Sequence, residues 1–117
     1  LPRVVAPDAP LAFGRWRANA TLVADAFGTR VPDPFEPVDP VLLVAPCLGF
    51  DARGYRLGYG GGFYDRTLAR LRVPVVGVCH ECAQVSGFEP GSHDRPLTAL
   101  ITEARLREFA PRPSPGR

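Results

Sequence analysis

The apolar positions of this 117-residue chain fall into short runs separated by prolines and glycines, and their period changes along its length. Arg3–Ala6 (R-V-V-A) and Leu11–Trp16 (L-A-F-G-R-W) are β-prone runs bounded by prolines, which predicts two short strands with Phe13 and Trp16 in the core. From Val31 to Pro40 a proline stands at nearly every second or third place, so this stretch predicts an extended connector without helix. Val41–Ala45 is an uninterrupted apolar run, the pattern of a strand covered on both faces in a parallel sheet. Tyr64, Leu68 and Leu71 then recur at i, i+4 and i+7, an apolar stripe on a helix whose other face carries Arg66, Arg70 and Arg72. Val75–Cys79 reads as the next buried strand and Leu97–Ile101 as a further short one. Strand, helix, strand from Val41 to Cys79 predicts a right-handed βαβ unit in an α/β sheet. The proline-broken residues 111–117 predict a disordered tail.

Composition narrows the class. A chain of 117 residues with 45% hydrophobic content has room for one domain, assigned to residues 1–110. The 14 prolines and 12 glycines together exceed a fifth of the chain, so loops are abundant. A net charge of +2 is too mild for a nucleic-acid face. With no apolar run long enough to cross a membrane and no secretory leader, the expectation is a cytoplasmic monomer that acts on a small molecule, without nucleic acid or membrane. Three cysteines, an odd number, predict reduced thiols. Cys79-His80-Glu81-Cys82 has C-x-x-C spacing, but a structural zinc site needs a second ligand pair, and only Cys47 and His93 remain as isolated candidates. Cys79 is therefore expected to close a buried strand.

The densest chemistry lies between Gly54 and Arg66, G-Y-R-L-G-Y-G-G-G-F-Y-D-R, immediately before the predicted helix. Gly58, Gly60, Gly61 and Gly62 lack a Cβ, so their N–H groups can approach a bulky anion closely. A helix starting near Phe63 adds its unpaired amides and its dipole at the same point. Arg56 and Arg66 can add bidentate phosphate contacts, and Asp65 can hold a divalent cation. The loop is not a Walker A sequence, which needs a lysine, because all 14 basic residues are arginine. Nor is it a Rossmann fingerprint, since Pro46, Gly49 and Gly54 separate it from the preceding strand.

The longer stretch from Val41 to Arg66 resembles the 5-formyltetrahydrofolate cyclo-ligase family, also called methenyltetrahydrofolate synthetases. The residues that carry the likeness are Pro46, Leu48, Gly49, Phe50 and Asp51, then Gly54, Arg56, Leu57, Gly58, Gly60, Gly62, Phe63, Tyr64 and Asp65. A second family signature is matched by His93, Asp94, Leu97, Leu100, Ile101, Thr102 and Glu103, and Gln84 falls where the family has a glutamine. The resemblance implies a three-layer, open, mostly parallel sheet with flanking helices, of the ribose-5-phosphate isomerase and CoA-transferase kind. It implies an ATP- and Mg²⁺-dependent closure of 5-formyltetrahydrofolate to 5,10-methenyltetrahydrofolate. In that reaction ATP phosphorylates the formyl oxygen, N10 attacks the activated carbon, and phosphate leaves. By the same resemblance Arg56, Leu57, Gly58, Tyr59, Gly60, Gly61, Gly62, Phe63 and Tyr64 bind ATP. Tyr59, Gly60, Gly61, Gly62 and Phe63 border the folate, and Asp65 with Asp94 hold Mg²⁺.

The family begins with a basic helical region and a strand and loop bearing a glutamate, whereas this sequence starts within the family's middle third, so an N-terminal part is expected to be missing. Thr98 stands where an aspartate is usual, and the Arg70–Val75 connection is short. A non-catalytic nucleotide-binding remnant of the family is the alternative. Single residues have structural alternatives too. Asp65 can cap the helix, Asp94 can form an Asx-turn before Pro96, and His93 can serve as a loop hydrogen-bonder. Trp16 can line a pterin site instead of the core, and Asp51 with Arg53 is expected to shape the turn after the strand.

Overall fold

A computed structural model of the chain describes residues 1–58, 62–87, 89 and 95–109. In chain order these form β1 (Pro2–Arg3), β2 (Ala12–Gly14), β3 (Thr21–Ala24), β4 (Arg30–Asp33), β5 (Pro37–Val38), β6 (Leu43–Pro46), β7 (Gly49–Phe50), β8 (Arg56–Leu57), α1 (Phe63–Leu71), β9 (Val75–Val78), a 3-10 helix (Glu81–Ala83), β10 (Ala99–Ile101) and β11 (Leu106–Glu108). The contacts group them into two compact units, Leu1–Val41 with Gly61–Val73, and Leu42–Gly60 with Pro74–Arg117. No described helix is long and apolar enough to cross a membrane.

In the first unit β1, β2 and β5 make an antiparallel sheet in the order β1-β2-β5, with Phe13 opposite both Pro2 and Val38. Beside them β3 and β4 form a hairpin that the sequence pattern did not predict. Its turn is made by Asp25, whose Oδ1 accepts the N–H groups of Phe27 at 2.8 Å and Thr29 at 2.9 Å, and by Gly28 at φ +83°. The proline-rich stretch after Val31 is extended, as its spacing requires, but it is no free connector: Arg30–Asp33 and Pro37–Val38 are paired strands. Pro32 is tolerated because β4 has a single sheet neighbour and needs no second ladder. Leu11, Phe13, Val31 and Leu68 are buried, while Trp16 is 53% exposed and is not the expected core anchor. The strand ends at Gly14, two residues before it.

Helix α1 belongs to this unit and begins at Phe63, where the apolar stripe places it. Leu68 is buried and Tyr64 and Leu71 are half-buried, so the stripe faces inward. The helix stops at Arg72, which takes φ +53° and donates its N–H to the Leu68 carbonyl at 3.0 Å, with Pro74 just beyond.

The second unit holds a four-stranded sheet in the order β11-β10-β9-β6. The β6–β9 and β9–β10 pairs are parallel and β10–β11 is antiparallel, so the sheet is mixed, with parallel pairs in the majority. The two parallel strands β6 and β9 have α1 between them in sequence, which is the predicted connectivity. The pleat puts Leu43, Ala45, Val75 and Leu100 in the core, and Gly77 fits between neighbours because a Cβ there would lie 2.6 Å from Leu97 and 2.9 Å from the Cys47 sulfur. The Val41–Ala45 run was expected to be covered on both faces and is not. Val41 precedes the strand, and Val44 is 61% exposed because the alternate pleat position faces away from the core. Val78 and Ile101 are exposed on the same pleat face, flanking each other in register. The expected Leu97 start of the last parallel strand is displaced to Ala99, although Leu97 itself is buried. Among the described residues α1 is the one α-helix.

A second hairpin, β7 with β8, turns through Asp51 to Tyr55. Gly54 in this turn has φ +91°, and a Cβ added there would meet the Phe109 ring at 2.6 Å. Gly28 shares the positive φ but has open space around it. Gly54→Ala is therefore expected to destabilise by about 3 kcal/mol, combining backbone strain with overpacking. Gly28→Ala is expected to cost only about 1 kcal/mol, the strain alone. Urea unfolding of the two variants checks the difference; equal losses would show that Phe109 yields without cost.

Candidate functional site

The first half of the predicted loop is built by a buried carboxylate. Asp51 is 1% exposed, and its Oδ1 accepts the N–H groups of Arg53 at 2.9 Å and Tyr55 at 3.1 Å. Its Oδ2 pairs with the Arg53 guanidinium through Nη2 at 2.7 Å and Nε at 3.1 Å. Asp51 N–H donates to the Tyr55 carbonyl at 3.0 Å, which closes the turn that Asp51 and Arg53 were expected to shape. Phe50, fully buried, accepts the Val85 N–H on its carbonyl at 2.8 Å, and the Arg107 guanidinium lies 5.2 Å from its ring. Arg107 Nη1 in turn donates to Gln84 Oε1 at 3.1 Å, so the glutamine singled out by the resemblance braces the hairpin.

Strand β8 leaves this turn carrying Arg56 and Leu57. Arg56 Nη2 donates to the Pro46 carbonyl at 2.9 Å, at the carboxyl end of β6, where open α/β sheets bind ligands. A Cβ on Gly58 would come within 3.0 Å of the same nitrogen, so the residue's small size lets the guanidinium lie against the backbone. Arg56, Leu57 and Gly58 thus form one ordered patch in the second unit.

The other half of the loop opens α1 in the first unit. Gly62 is the N-cap at φ +69°, a conformation a side chain would strain, and a Cβ there would lie 2.8 Å from Arg66 Nη1. The helical ladder begins with Arg66 N–H donating to the Gly62 carbonyl at 3.1 Å, so the amides of Phe63, Tyr64 and Asp65 lie outside it and point along the axis. Gly62 is the N-cap and makes no side-chain cap bond, and Asp65 stands in the first turn, three residues after it, where a carboxylate meets the positive end of the helix dipole. The Arg66 guanidinium lies 4.9 Å from the Phe63 ring, and its Nε donates to the Ala9 carbonyl at 3.3 Å. Tyr59, Gly60, Gly61, His93 and Asp94 lie outside the described residues.

Thr67 was not singled out from the sequence, yet it is fully buried within the apolar stripe. A hydroxyl between Tyr64 and Leu68 was the available signal, since a polar group on a buried face needs partners. The second family signature has a structural use. Thr102 Oγ1 donates to Glu81 at 2.6 Å and Arg105 Nε donates to the same carboxylate at 2.9 Å, which together hold Glu81 below the usual carboxylate range. Glu103 Oε1 accepts the Glu81 N–H at 2.9 Å, so Thr102 and Glu103 both fasten the 3-10 helix to the end of β10. No cluster of three His, Cys, Asp or Glu side chains suited to a metal occurs among the described residues, and His93 lies outside them. Burial and the neighbouring Cys47 push the Cys79 thiol up to about 11, which keeps it protonated and unreactive.

Comparison with known proteins accounts for this arrangement. The profile of the 5-formyltetrahydrofolate cyclo-ligase family matches residues 1–103. A 5-formyltetrahydrofolate cyclo-ligase of Mycolicibacterium smegmatis is 36% identical over 103 residues, covering 82% of this chain and 53% of its own. One from Escherichia coli is 39% identical over 71 residues, covering 58% of this chain and 39% of its own. The chain thus spans about half the length, or less, of these relatives. The NMR structure of Aquifex aeolicus 5,10-methenyltetrahydrofolate synthetase superimposes with a TM-score of 0.77 at 31% identity, over 99% of this chain and 60% of that one. A synthetase from Mycoplasma pneumoniae shares the fold with a TM-score of 0.62 at 23% identity. With an α/β fold shared with solved synthetases and a family match that runs from Leu1 through the glycine loop to Glu103, the chain belongs to the 5-formyltetrahydrofolate cyclo-ligase family.

Proposed function

We propose that this chain contributes the phosphate- and folate-binding loop of an ATP-dependent enzyme that converts 5-formyltetrahydrofolate into 5,10-methenyltetrahydrofolate, releasing ADP and phosphate. The observation that carries this reading is the family match across residues 1–103, which contains the whole of Gly54–Arg66. The names of the relatives supply substrate and product. The proposal includes the three-layer architecture with helices on both faces of the sheet, and a cytoplasmic monomer acting on a small molecule rather than on nucleic acid or membrane.

The chemistry asks for positioning and charge neutralisation more than for covalent catalysis, since the phosphoryl group passes from ATP to the formyl oxygen and N10 then displaces phosphate from the activated carbon. The described residues fit such a role. Gly62 in its left-handed conformation lets the backbone lie against Arg66, and the start of α1 brings the positive end of the helix dipole to the same place, which favours phosphate oxygens. Arg56 presents a guanidinium already ordered by the Pro46 carbonyl. In the proposed assignment Arg56, Leu57, Gly58, Tyr59, Gly60, Gly61, Gly62, Phe63 and Tyr64 meet ATP. Tyr59, Gly60, Gly61, Gly62 and Phe63 border the pterin. Asp65 in the first turn, with Asp94, supplies hard oxygen donors of the kind Mg²⁺ takes, one or two carboxylates alongside phosphate. When bound, Mg²⁺ neutralises charge on the transferred phosphoryl group.

Purified full-length protein carrying this sequence is expected to form the methenyl product, followed by its absorbance, only when both ATP and Mg²⁺ are present. Turnover without ATP would overturn the assignment, and nucleotide binding without any turnover would favour a non-catalytic family remnant. Asp65→Asn and Asp94→Asn are each expected to lower kcat by about 10²-fold while leaving the melting temperature near that of the parent, because the amide keeps the shape and loses the charge. Unchanged kinetics across a Mg²⁺ titration would remove either residue from the metal site.

A further inference from the structure

We infer that Thr67 is the positioning residue that aims the first turn of α1, an inference that rests on the phosphate-binding reading of Gly62–Asp65. Thr67 is fully buried, and its hydroxyl makes two bonds of opposite sense. Oγ1 accepts the Leu11 N–H at 2.8 Å and donates to the Phe63 carbonyl at 2.6 Å. The second partner is the carbonyl of the first helical residue, and the first lies on the segment that leads into β2. One oxygen therefore joins the phosphate-facing end of the helix to the antiparallel sheet of the same unit.

Arg66 makes a second tie to that segment through the Ala9 carbonyl. Ala9 and Leu11 flank Pro10, whose ring fixes φ and which has no N–H to offer. Both groups that this short strap turns toward the helix are thus used, a carbonyl at Ala9 and an amide at Leu11. The turn before it is closed by Ala9 N–H donating to the Ala6 carbonyl at 3.4 Å, with Asp8 at φ +60°.

The strap ties the first turn of α1 to the segment before β2. The helix N-cap, Gly62, has no side chain with which to hold that turn. A threonine bonding back to the carbonyl four residues earlier ordinarily favours bending over a straight helix. Here the same hydroxyl also holds the Leu11 N–H, so its back-bond to Phe63 is anchored outside the helix. The orientation of the first turn of α1 then follows from Thr67. Misplacing a phosphate by about an ångström costs up to about 10²-fold in rate.

The test is a graded series in the full-length protein. Thr67→Ser keeps both bonds, Thr67→Cys fills the site with a weak donor and acceptor, and Thr67→Val keeps the shape and removes both bonds. Two readouts are followed: amide hydrogen exchange over residues 62–66, and the KM for ATP in methenyl formation. Thr67→Val is expected to speed the exchange and raise the KM for ATP by about 10-fold, with the KM for 5-formyltetrahydrofolate unchanged. Serine is expected to restore both readouts and cysteine to fall between. A valine variant with a lowered melting temperature but parental exchange and KM for ATP would make Thr67 a packing residue and overturn the inference, as would a serine variant that fails to restore. If the parent protein shows no ATP-dependent turnover, the functional reading falls, and the exchange series alone then decides whether Thr67 sets the first turn.

Discussion

The carboxylate of Asp51 is the constraint on which the second unit depends. A charge that is 1% exposed is costly unless every oxygen is engaged, and here two backbone amides and one guanidinium engage them. The result is a tight turn whose outer surface the rest of the unit uses. Leu97 N–H donates to the Gly54 carbonyl at 2.7 Å, the Phe109 ring covers Gly54, and Val85 reaches the Phe50 carbonyl. Three segments far apart in sequence thus converge on six residues. The same turn sets the direction in which β8 leaves, and with it the place of Arg56. A motif that looks like a ligand loop in sequence is anchored by a residue whose work is structural.

The parts of the fold that were legible in the sequence are those where one physical rule acts alone. The start of α1 at Phe63 follows from the glycines before it and the stripe of Tyr64, Leu68 and Leu71, and nothing in the tertiary structure opposes either. The parallel pairing of β6 and β9 was legible from two apolar runs flanking a helix. The hairpin of β3 and β4 was not, because T-L-V-A is short and its partner contains Pro32, a residue that sequence rules read as a breaker. Only the pairing itself, with one neighbour and an Asp25 turn, makes that proline harmless. Trp16 was misjudged for a related reason: aromatic size argues for burial, but the strand ends before it and the geometry of the end decides. Within the candidate site the residue types were readable and the division of labour was not. Asp51 was read correctly because its partners Arg53 and Tyr55 are local, whereas Thr67 and Thr102 reveal their roles only through partners distant in the chain.

The basic residues of the chain are all arginine, and the structure shows what that chemistry permits. Arg53 bonds a carboxylate and stacks over Tyr55 at 4.9 Å, Arg107 faces Phe50 while bonding Gln84, and Arg66 covers Phe63 while bonding Ala9. Each guanidinium uses its flat face and its edge for different partners. An ammonium group has no such face, and a lysine in these places would satisfy one partner at most. The arginines near the loop are therefore held in place by aromatic rings and backbone carbonyls.

Gly77 carries an implication for how this sequence can change over time. Its Cα faces Leu97, Cys47 and Leu100 so closely that even a methyl group would collide with all of them. A side chain at position 77 therefore requires the ends of Leu97 and Leu100 to swing away and the Cys47 sulfur to shift in the same step. Changes at Gly77 and at these neighbours are thus expected to be coupled, a gain of volume at one being tolerated best with a loss at another.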